Sequence, residues 1–393
     1  MKQLLFFLHK YYFVLFLLLS ITSTGCRKDT KDNRVSEILP VPSGSIQLQG
    51  ELAKRIQKSE HLLSDWEERT QAGTTDFTIL ENKSQISFPQ KADKIFWEQY
   101  QTYGMTENHE NYNSFHKYDG QTDPATVIRS FLYATRLWQK TRQERFRDEA
   151  ELIYYNGICH LQQSNGHWGS DNTPGNKLQD VCLKPVLLQH SFEKTHDCTE
   201  GLHQIADLSY FIAGTTLYIP FLRENRLEIV DKNKKLTVYQ QTNYPFENKV
   251  DIIVENNSFG IDNLIISAPQ WTKDHQLFIN GEKTACKITH GFLNLKKKLK
   301  EGDLINLRFT QTLRFTGTLN KENTNLDQIK IYYGPLLLGY SGLEVIKLTA
   351  LEKIVPVDSN TFFIKSKNVK VSPIYRFPDD DKLNTKEKKQ ILF

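Results

Sequence analysis

The chain has 393 residues, of which 39% are hydrophobic and 24% charged, with a formal net charge of +4 at pH 7. The lysines are scattered rather than gathered on one face, which argues against a nucleic-acid partner. Five cysteines in this length do not make a disulfide scaffold, so pairing, metal binding and simple burial stay open for them.

Residues 1–25 have the pattern of an export signal. Their apolar stretch ends near Ile21 and is shorter than the ~20 residues that a membrane-spanning helix needs. The sequence Ser23-Thr-Gly-Cys26 resembles a bacterial lipobox, which predicts an exported protein with a lipid anchor on Cys26, periplasmic or at the cell surface. The alternative is an ordinary cleaved signal peptide. Residues 26–44 then form a polar tether.

Residues 45–222 have the apolar spacing of helices. Asp123 followed by Pro124 predicts a helix start, with Asp as the N-cap and Pro at the first helical position. Further helices are predicted within 45–66, over about 145–163, and from near Asp197 to Gly214.

From about residue 223 the apolar period changes to two, which predicts β-strands. Asn280-Gly281 is typical of a two-residue hairpin turn. Short strands at close spacing indicate an antiparallel β-sandwich over 223–345, followed by C-terminal strands and a charged tail in 346–393. The predicted strands are 235–242, 249–255, 263–268, 276–279, 287–295, 303–310 and 329–338.

Several short motifs follow one another in the β-rich half, namely QQTNYPF (240–246), ISAPQW (266–271), INGE (279–282) and YGPLLLGYSG (333–342). As an ordered set they resemble the β-sandwich region of glycoside hydrolase family 127, the β-L-arabinofuranosidase-like enzymes. In the helical half, segments 38–56, 144–162 and 197–201 are similar to motifs of the same family.

This resemblance implies an (α/α)6 barrel followed by β-sandwich domains. Twelve helices with their loops need roughly 180–220 residues, and residues 45–222 barely reach the lower end of that range. The prediction is therefore an α+β multidomain protein, with an incomplete (α/α)-barrel-like helical region before the antiparallel β-sandwich. Helix faces left uncovered by the missing part would be a surface for a partner chain.

The resemblance also implies a chemistry, the retaining hydrolysis of a terminal glycosidic bond on plant or algal oligosaccharides. The family uses a cysteine thiolate as nucleophile, a zinc ion held by one Glu and three Cys, and a Glu as acid/base. Its Glu-x-Cys motif falls on Asp123-Pro-Ala125 and its Cys-Cys motif falls on Asp197-Cys198. One cysteine ligand is therefore lost, and Asp197 stands at the position of the nucleophile.

Three interpretations follow. In the first, Asp197 acts as a carboxylate nucleophile, with Glu110 or Glu107 as acid/base. In the second, a weakened zinc site uses Asp123, Asp197 and Cys198, with His196 as a further ligand. In the third, the protein is a catalytically degenerate carbohydrate-binding or structural relative.

Simpler roles compete with each of these assignments. Asp123 fits a helix cap, Asp197 with Glu200 fits a capping-box start, and Cys198 fits a buried thiol.

The loop 162–175 adds a candidate sugar contact. An exposed Trp168 ring would stack on a sugar, with His167 and His196 as further substrate contacts. The alternative is a connector whose Trp168 packs onto the core.

Overall fold

The computed structural model describes most of the chain from residue 37 onward. The predicted signal, Cys26 and most of the charged tail lie outside the described residues. No helix within the described part is both long and apolar enough to cross a membrane. The described residues are 37–71, 85–115, 122–163, 165–173, 182–185, 192–285, 287–317, 329–341, 346, 348, 353–358, 361–374 and 389–390.

The α-helices of the described residues all lie before residue 208. They are α1 Gly50–Gln71, α2 Lys94–Tyr103, α3 Pro124–Thr141, α4 Glu144–Leu152, α5 Cys159–Leu161 and α6 Phe192–Asp207. A π-helical turn, Ile153–Ile158, joins α4 to α5, so the helix predicted over about 145–163 is one continuous helical segment.

Helix α3 begins as the sequence predicts, with Asp123 as the N-cap and Pro124 at the first helical position. Its apolar stripe is buried, and it packs against α4 and α6. The contact with α6 is close because a Cβ on Gly201 would lie 2.5 Å from Cγ2 of Ile128. Glycine at this position is therefore a packing requirement.

The prediction that a helix starts near Asp197 and runs to Gly214 is wrong. Helix α6 starts at Phe192 and ends at Asp207, and a strand follows at Phe211. The helical stripe extends further back than apolar residues alone indicate, because Thr195 is buried together with Cys198 and Leu202. Asp197 is consequently in the middle of the helix and does not cap it.

The strands are short and mostly antiparallel, and they lie both before and after residue 223. They are β1 Leu39–Pro40, β2 Ile46–Leu48, β3 Ser170–Thr173, β4 Cys182–Pro185, β5 Phe211–Ala213, β6 Thr216–Ile219, β7 Asn225–Asp231, β8 Lys234–Thr242, β9 Lys249–Asn257, β10 Asn263–Ser267, β11 Thr272–Ile279, β12 Glu282–Thr284, β13 Ile288–Thr289, β14 Phe292–Lys296, β15 Leu304–Gln311, β16 Leu313–Gly317, β17 Ile329–Tyr333, β18 Leu336–Ser341, β19 Ile354–Pro356, β20 Phe362–Ile364, β21 Val369–Pro373 and β22 Lys389–Gln390.

Within the described residues, the strands form three sheets. One has the order β1-β5-β6-β10-β14-β13, with β6 and β10 parallel, and a second has the order β12-β11-β15-β9-β8-β7-β2. The third has the order β19-β20-β21-β18-β22-β4-β3, with β17 paired to β18 and β16 paired to β17.

The predicted hairpin at Asn280-Gly281 is confirmed. It joins β11 to β12, and both residues have positive φ, 52° and 86°. Two segments predicted as single strands are hairpins instead. The segment 287–295 turns at His290-Gly291, with φ values of 49° and 70°, and the segment 329–338 turns at Gly334-Pro335.

One large hydrophobic cluster joins the helices to the first two sheets, and a smaller one lies in the third sheet. Residues on both sides of position 222 contribute to the large cluster. The α+β class predicted from the sequence is confirmed. The barrel-like arrangement stays a prediction, because the described helices pack in the pairs α3–α4, α1–α6 and α3–α6.

Candidate functional site

Glu110, the first acid/base candidate, lies in the loop after α2 and is completely buried. Its Oε1 lies 2.7 Å from His160 Nδ1 and accepts a hydrogen bond from Asn108 Nδ2 at 2.8 Å. Its Oε2 accepts a hydrogen bond from the Thr122 hydroxyl at 2.9 Å. A carboxylate with three such partners is fixed inside the protein.

Glu107, the other acid/base candidate, belongs to the same loop and is also buried. Its Oε2 lies 2.9 Å from Lys330 Nζ, and these side chains are 3% and 2% exposed. Burial lowers the pKa of Lys330, but the charge and hydrogen bond of Glu107 together with the nearby Tyr332 and Glu149 outweigh it, so the pKa is raised overall. The ion pair anchors this loop to β17.

His109 makes a second connection between the loop and β17. Its Nδ1 lies 3.0 Å from Glu149 Oε1, and its Nε2 lies 2.9 Å from the Tyr332 hydroxyl. Burial favours the neutral acid at Glu149, yet the hydrogen bond and charge of His109, with smaller effects of Lys330 and Gln101, together lower the pKa of this carboxyl group. The polar loop is thus a buried connection between the helices and the third sheet.

Asp123 is 94% buried, since its exposed fraction is 6%. Its Oδ2 accepts a hydrogen bond from the Thr126 hydroxyl at 2.6 Å, and its side chain does not cap a backbone N–H group. Thr122, the residue before Asp123, donates its hydroxyl hydrogen bond to Glu110. Thr122 therefore connects the two acidic residues Glu110 and Asp123.

Cys198 on α6 is completely buried and is a free thiol. Burial raises the pKa of this thiol well above its ordinary value, and the nearby Asp123 carboxylate raises it further. A thiol in this environment is protonated at neutral pH and is a poor nucleophile. The structure therefore brings Glu110, Asp123 and Cys198 into one region, but it does not activate the sulfur.

Asp197 and His196 lie on the opposite, solvent-facing side of α6. Their side chains are 60% and 58% exposed, and His196 Nδ1 lies 3.9 Å from Asp197 Oδ1. Because Glu110 is fully buried while Asp197 faces solvent, the structure does not place the two in one cleft.

Trp168 is 6% exposed, so the expectation of an exposed ring is wrong. Its Nε1 donates a hydrogen bond to the Ser59 hydroxyl on α1 at 3.1 Å, and its backbone forms a bridge with Gln162. The half-buried His167 packs with its ring centroid 5.6 Å from that of Trp66. This is the arrangement of a connector packed onto the core.

Among the described residues, no three His, Cys, Asp or Glu side chains converge as metal ligands. Zinc takes four ligands in a structural site and three protein ligands in a catalytic one. Of the residues that the resemblance suggests as ligands, Asp123 and Cys198 are buried near each other, whereas Asp197 and His196 are exposed to solvent. The described residues therefore bring together fewer donors than either kind of zinc site uses.

A second polar region, which the sequence analysis did not identify, lies where α4 meets the second sheet. Burial raises the pKa of Glu151 to about 7, against the opposing effect of a hydrogen bond from Tyr244. Tyr244 accepts a hydrogen bond from Trp271 Nε1 at 2.8 Å. The buried Arg223 acts on the same carboxyl group through its charge. The QQTNYPF motif contains Tyr244, but nothing local in the sequence indicates its partners.

The architecture, helices packed on antiparallel sheets, is the one found in a group of glycoside hydrolases. The sequence profile of the GH127 β-L-arabinofuranosidase middle domain matches residues 216–311. The resemblance to glycoside hydrolase family 127 is thereby confirmed for this segment, which contains the strands from β6 to β15. No curated protein sequence matches the chain.

Solved structures show the same fold. The chain is similar to a glycoside hydrolase, with a TM-score of 0.57, 14% identity and coverage of 76% of this chain and 60% of that one. It is also similar to a GH127 β-arabinofuranosidase, with a TM-score of 0.54, 12% identity and coverage of 76% and 55%. A third is a GH127 β-L-arabinofuranosidase from Geobacillus stearothermophilus T6, with a TM-score of 0.54, 13% identity and coverage of 87% and 59%. The chain therefore spans somewhat more than half the length of these proteins.

Proposed function

We propose that this protein is a carbohydrate-binding relative of the GH127 β-L-arabinofuranosidases that has lost the thiolate and zinc chemistry of that family. Its ligands are plant or algal oligosaccharides with terminal arabinofuranose or related sugars. The β-rich segment that matches the family supports the carbohydrate assignment.

The state of Cys198 carries the proposal. The resemblance places this cysteine in the family's Cys-Cys motif, and the residue is buried and has no cluster of metal ligands around it among the described residues. Asp197, at the position that the resemblance assigns to the nucleophile, is 60% exposed, whereas Glu110 is completely buried. A retaining mechanism needs the two carboxyl groups ~5–5.5 Å apart across one sugar, which these two environments do not offer.

A second candidate is an active exo-acting glycoside hydrolase. The hydrogen bond from Thr122 to Glu110 favours it, because it keeps an acidic group beside Asp123 and Cys198 at the positions that correspond to the family's site. In that case a rearrangement of α6 would have to turn Asp197 towards Glu110.

We further propose that the protein acts outside the cytoplasm, held to a bacterial membrane by a lipid on Cys26. The lipobox-like sequence before Cys26 supports this location. A partner chain covering the helical region is a separate proposal, which the small number of residues available for a barrel in 45–222 supports.

The experiment compares binding with turnover on the mature protein. Arabino-oligosaccharide binding is measured by calorimetry, and hydrolysis is measured with nitrophenyl furanosides and pyranosides. We expect binding without turnover, and the same result for Cys198→Ser, Asp197→Asn and the control Cys159→Ser, which alters the other buried free thiol. Turnover that disappears in Cys198→Ser or Asp197→Asn but persists in Cys159→Ser would overturn the binding-only proposal.

A further inference from the structure

A cavity of about 220 Å³ lies between the start of α1, the π-helical turn and the loop 242–246. It is smaller than the ~300–1,000 Å³ of pockets for drug-sized ligands, and its size suits one small molecule such as a monosaccharide. None of the residues that correspond to the family's site line it.

Arg223 forms part of the cavity wall and is 6% exposed. Its guanidinium carbon lies 4.1 Å from the centroid of the Tyr154 ring and 4.7 Å from that of Phe221. These rings occupy the faces of the guanidinium group, where cation–π contacts form. The N–H groups of the guanidinium donate hydrogen bonds in its plane, which the rings do not cover.

The terminal N–H groups of Arg223 have no acceptor among the described residues. Within the described residues, neither Nη1 nor Nη2 has a hydrogen-bond partner, although both are buried. A buried guanidinium group is ordinarily paired with an acceptor, most often a carboxylate. Glu151 is a poor counter-ion near neutral pH, because burial raises its pKa to about 7. The two carboxylates of the cavity wall, Glu51 and Glu224, are not bonded to Arg223 either, so its N–H groups are left for an acceptor on a ligand.

The start of α1 already has carboxylates of the protein beside it. Its first residues, Gly50, Glu51 and Leu52, line the cavity, and Glu224 Oε2 lies 3.0 Å from the position that a Cβ on Gly50 would take. Glu51 does not neutralise Arg223, since it forms an ion pair with Arg55 at 2.9 Å.

The rest of the wall suits a sugar. Tyr155, Tyr244 and Phe246 provide aromatic surface on the loop and π-helix sides. Aromatic rings pack against the C–H face of a sugar, while an arginine edge binds a carboxylate with two parallel hydrogen bonds.

We propose that this cavity binds the carboxylate of an acidic monosaccharide, a uronate, with Arg223 as the anion-binding residue and the tyrosines against the ring. The sugar part rests on the proposed carbohydrate-binding function, whereas the carboxylate part rests on the buried Arg223, whose Nη1 and Nη2 have no hydrogen-bond partner among the described residues.

Calorimetry with galacturonate, galactose and acetate tests the proposal on the mature protein. We expect galacturonate to bind at least tenfold more tightly than galactose, because galactose has the same ring without the charge. Acetate binding as tight as that of galacturonate would overturn the sugar assignment. Equal affinity for galactose and galacturonate would overturn the carboxylate assignment.

Variants locate the site. Arg223→Gln is expected to weaken galacturonate binding at least tenfold, and Arg223→Lys, which keeps the charge but loses the planar edge, to weaken it less. The matched control is Arg226→Gln, because Arg226 on β7 forms a surface ion pair with Glu255 on β9 and does not line the cavity. If Arg223→Gln fails to fold by circular dichroism, unchanged binding in a folded Arg223→Lys would overturn the proposal.

The two proposals fail separately. Galacturonate binding without any affinity for neutral arabino-oligosaccharides would overturn the proposed function and leave the acidic-ligand site standing. Binding of neutral arabino-oligosaccharides without any binding of galacturonate would overturn the acidic-ligand site alone.

Discussion

The carboxylate of Glu107 lies 2.9 Å from the ammonium group of Lys330, and both side chains are almost fully buried. The two residues join the polar loop after α2 to β17, two elements far apart in the sequence. A buried ion pair of this kind is strongly destabilised when one partner loses its charge, because the other stays buried without compensation.

We therefore expect Glu107→Gln to lower the free energy of unfolding by about 3–5 kcal/mol. Glu228→Gln is the control, since Glu228 pairs with the exposed Lys235 at 3.2 Å and surface pairs contribute about 1 kcal/mol or less. Urea denaturation of both variants measures the difference. Equal losses in the two variants would contradict the buried connection.

Gly201→Ala tests the close packing of α3 and α6. Alanine favours a helix over glycine by about 1 kcal/mol, yet its Cβ would lie 2.5 Å from Ile128 Cγ2. We expect a net loss of about 1–3 kcal/mol from overpacking. Gly317→Ala, where the added Cβ meets no atom within 4 Å, is the control and should change stability by less than about 1 kcal/mol. A stabilised Gly201→Ala would show that the helices are further apart.

Glu151 should make stability depend on pH. Burial raises its folded pKa to about 7 from the ordinary value of 4.5, so between these values the folded protein holds the proton more tightly than the unfolded chain. Its contribution to the free energy of unfolding is fully present below about pH 4.5 and is lost as pH rises through about 7. The total loss is about 3 kcal/mol at most.

Glu151→Gln should remove this dependence and make the protein more stable than the wild type at pH 8, while Glu282→Gln, a substitution on an exposed strand, should leave it unchanged. Thermal denaturation at pH 5, 6.5 and 8 compares the variants. A wild-type stability that rises over this range, with Glu151→Gln following the same slope, would contradict the assignment.

Cys198 should resist alkylation in the folded state. Burial raises its pKa and closes it to reagents, so iodoacetamide at pH 7 should modify it only after denaturation. Peptide mapping by mass spectrometry measures the modified fraction. Modification of the native Cys198 within minutes would reveal an accessible thiolate.

Much of the fold follows from local signals in the sequence. Asp123-Pro124 marks the start of α3 because cap and first-turn preferences act within a few residues, and Asn280-Gly281 marks its hairpin because both residues tolerate positive φ. The start of α6 was missed because the polar Thr195 belongs to its buried stripe.

The candidate site was harder to predict. The polar residues from Glu107 to Glu110 look solvated in the sequence, but partners far away in the chain, such as Lys330 and His160, bury them. Arg223 gave no signal, because its importance lies in the hydrogen bonds that the described residues do not supply. Long-range pairing of this kind cannot be derived from spacing.

Zinc content tests the central claim most directly. We predict that the mature protein, purified without chelators and equilibrated with zinc, retains far less than one zinc ion per chain after dialysis, because no three potential ligands converge among the described residues. The measurement is metal analysis by mass spectrometry, alongside Cys198→Ser. About one zinc ion per wild-type chain, lost in Cys198→Ser, would contradict the claim that the thiolate and zinc chemistry of the family is gone.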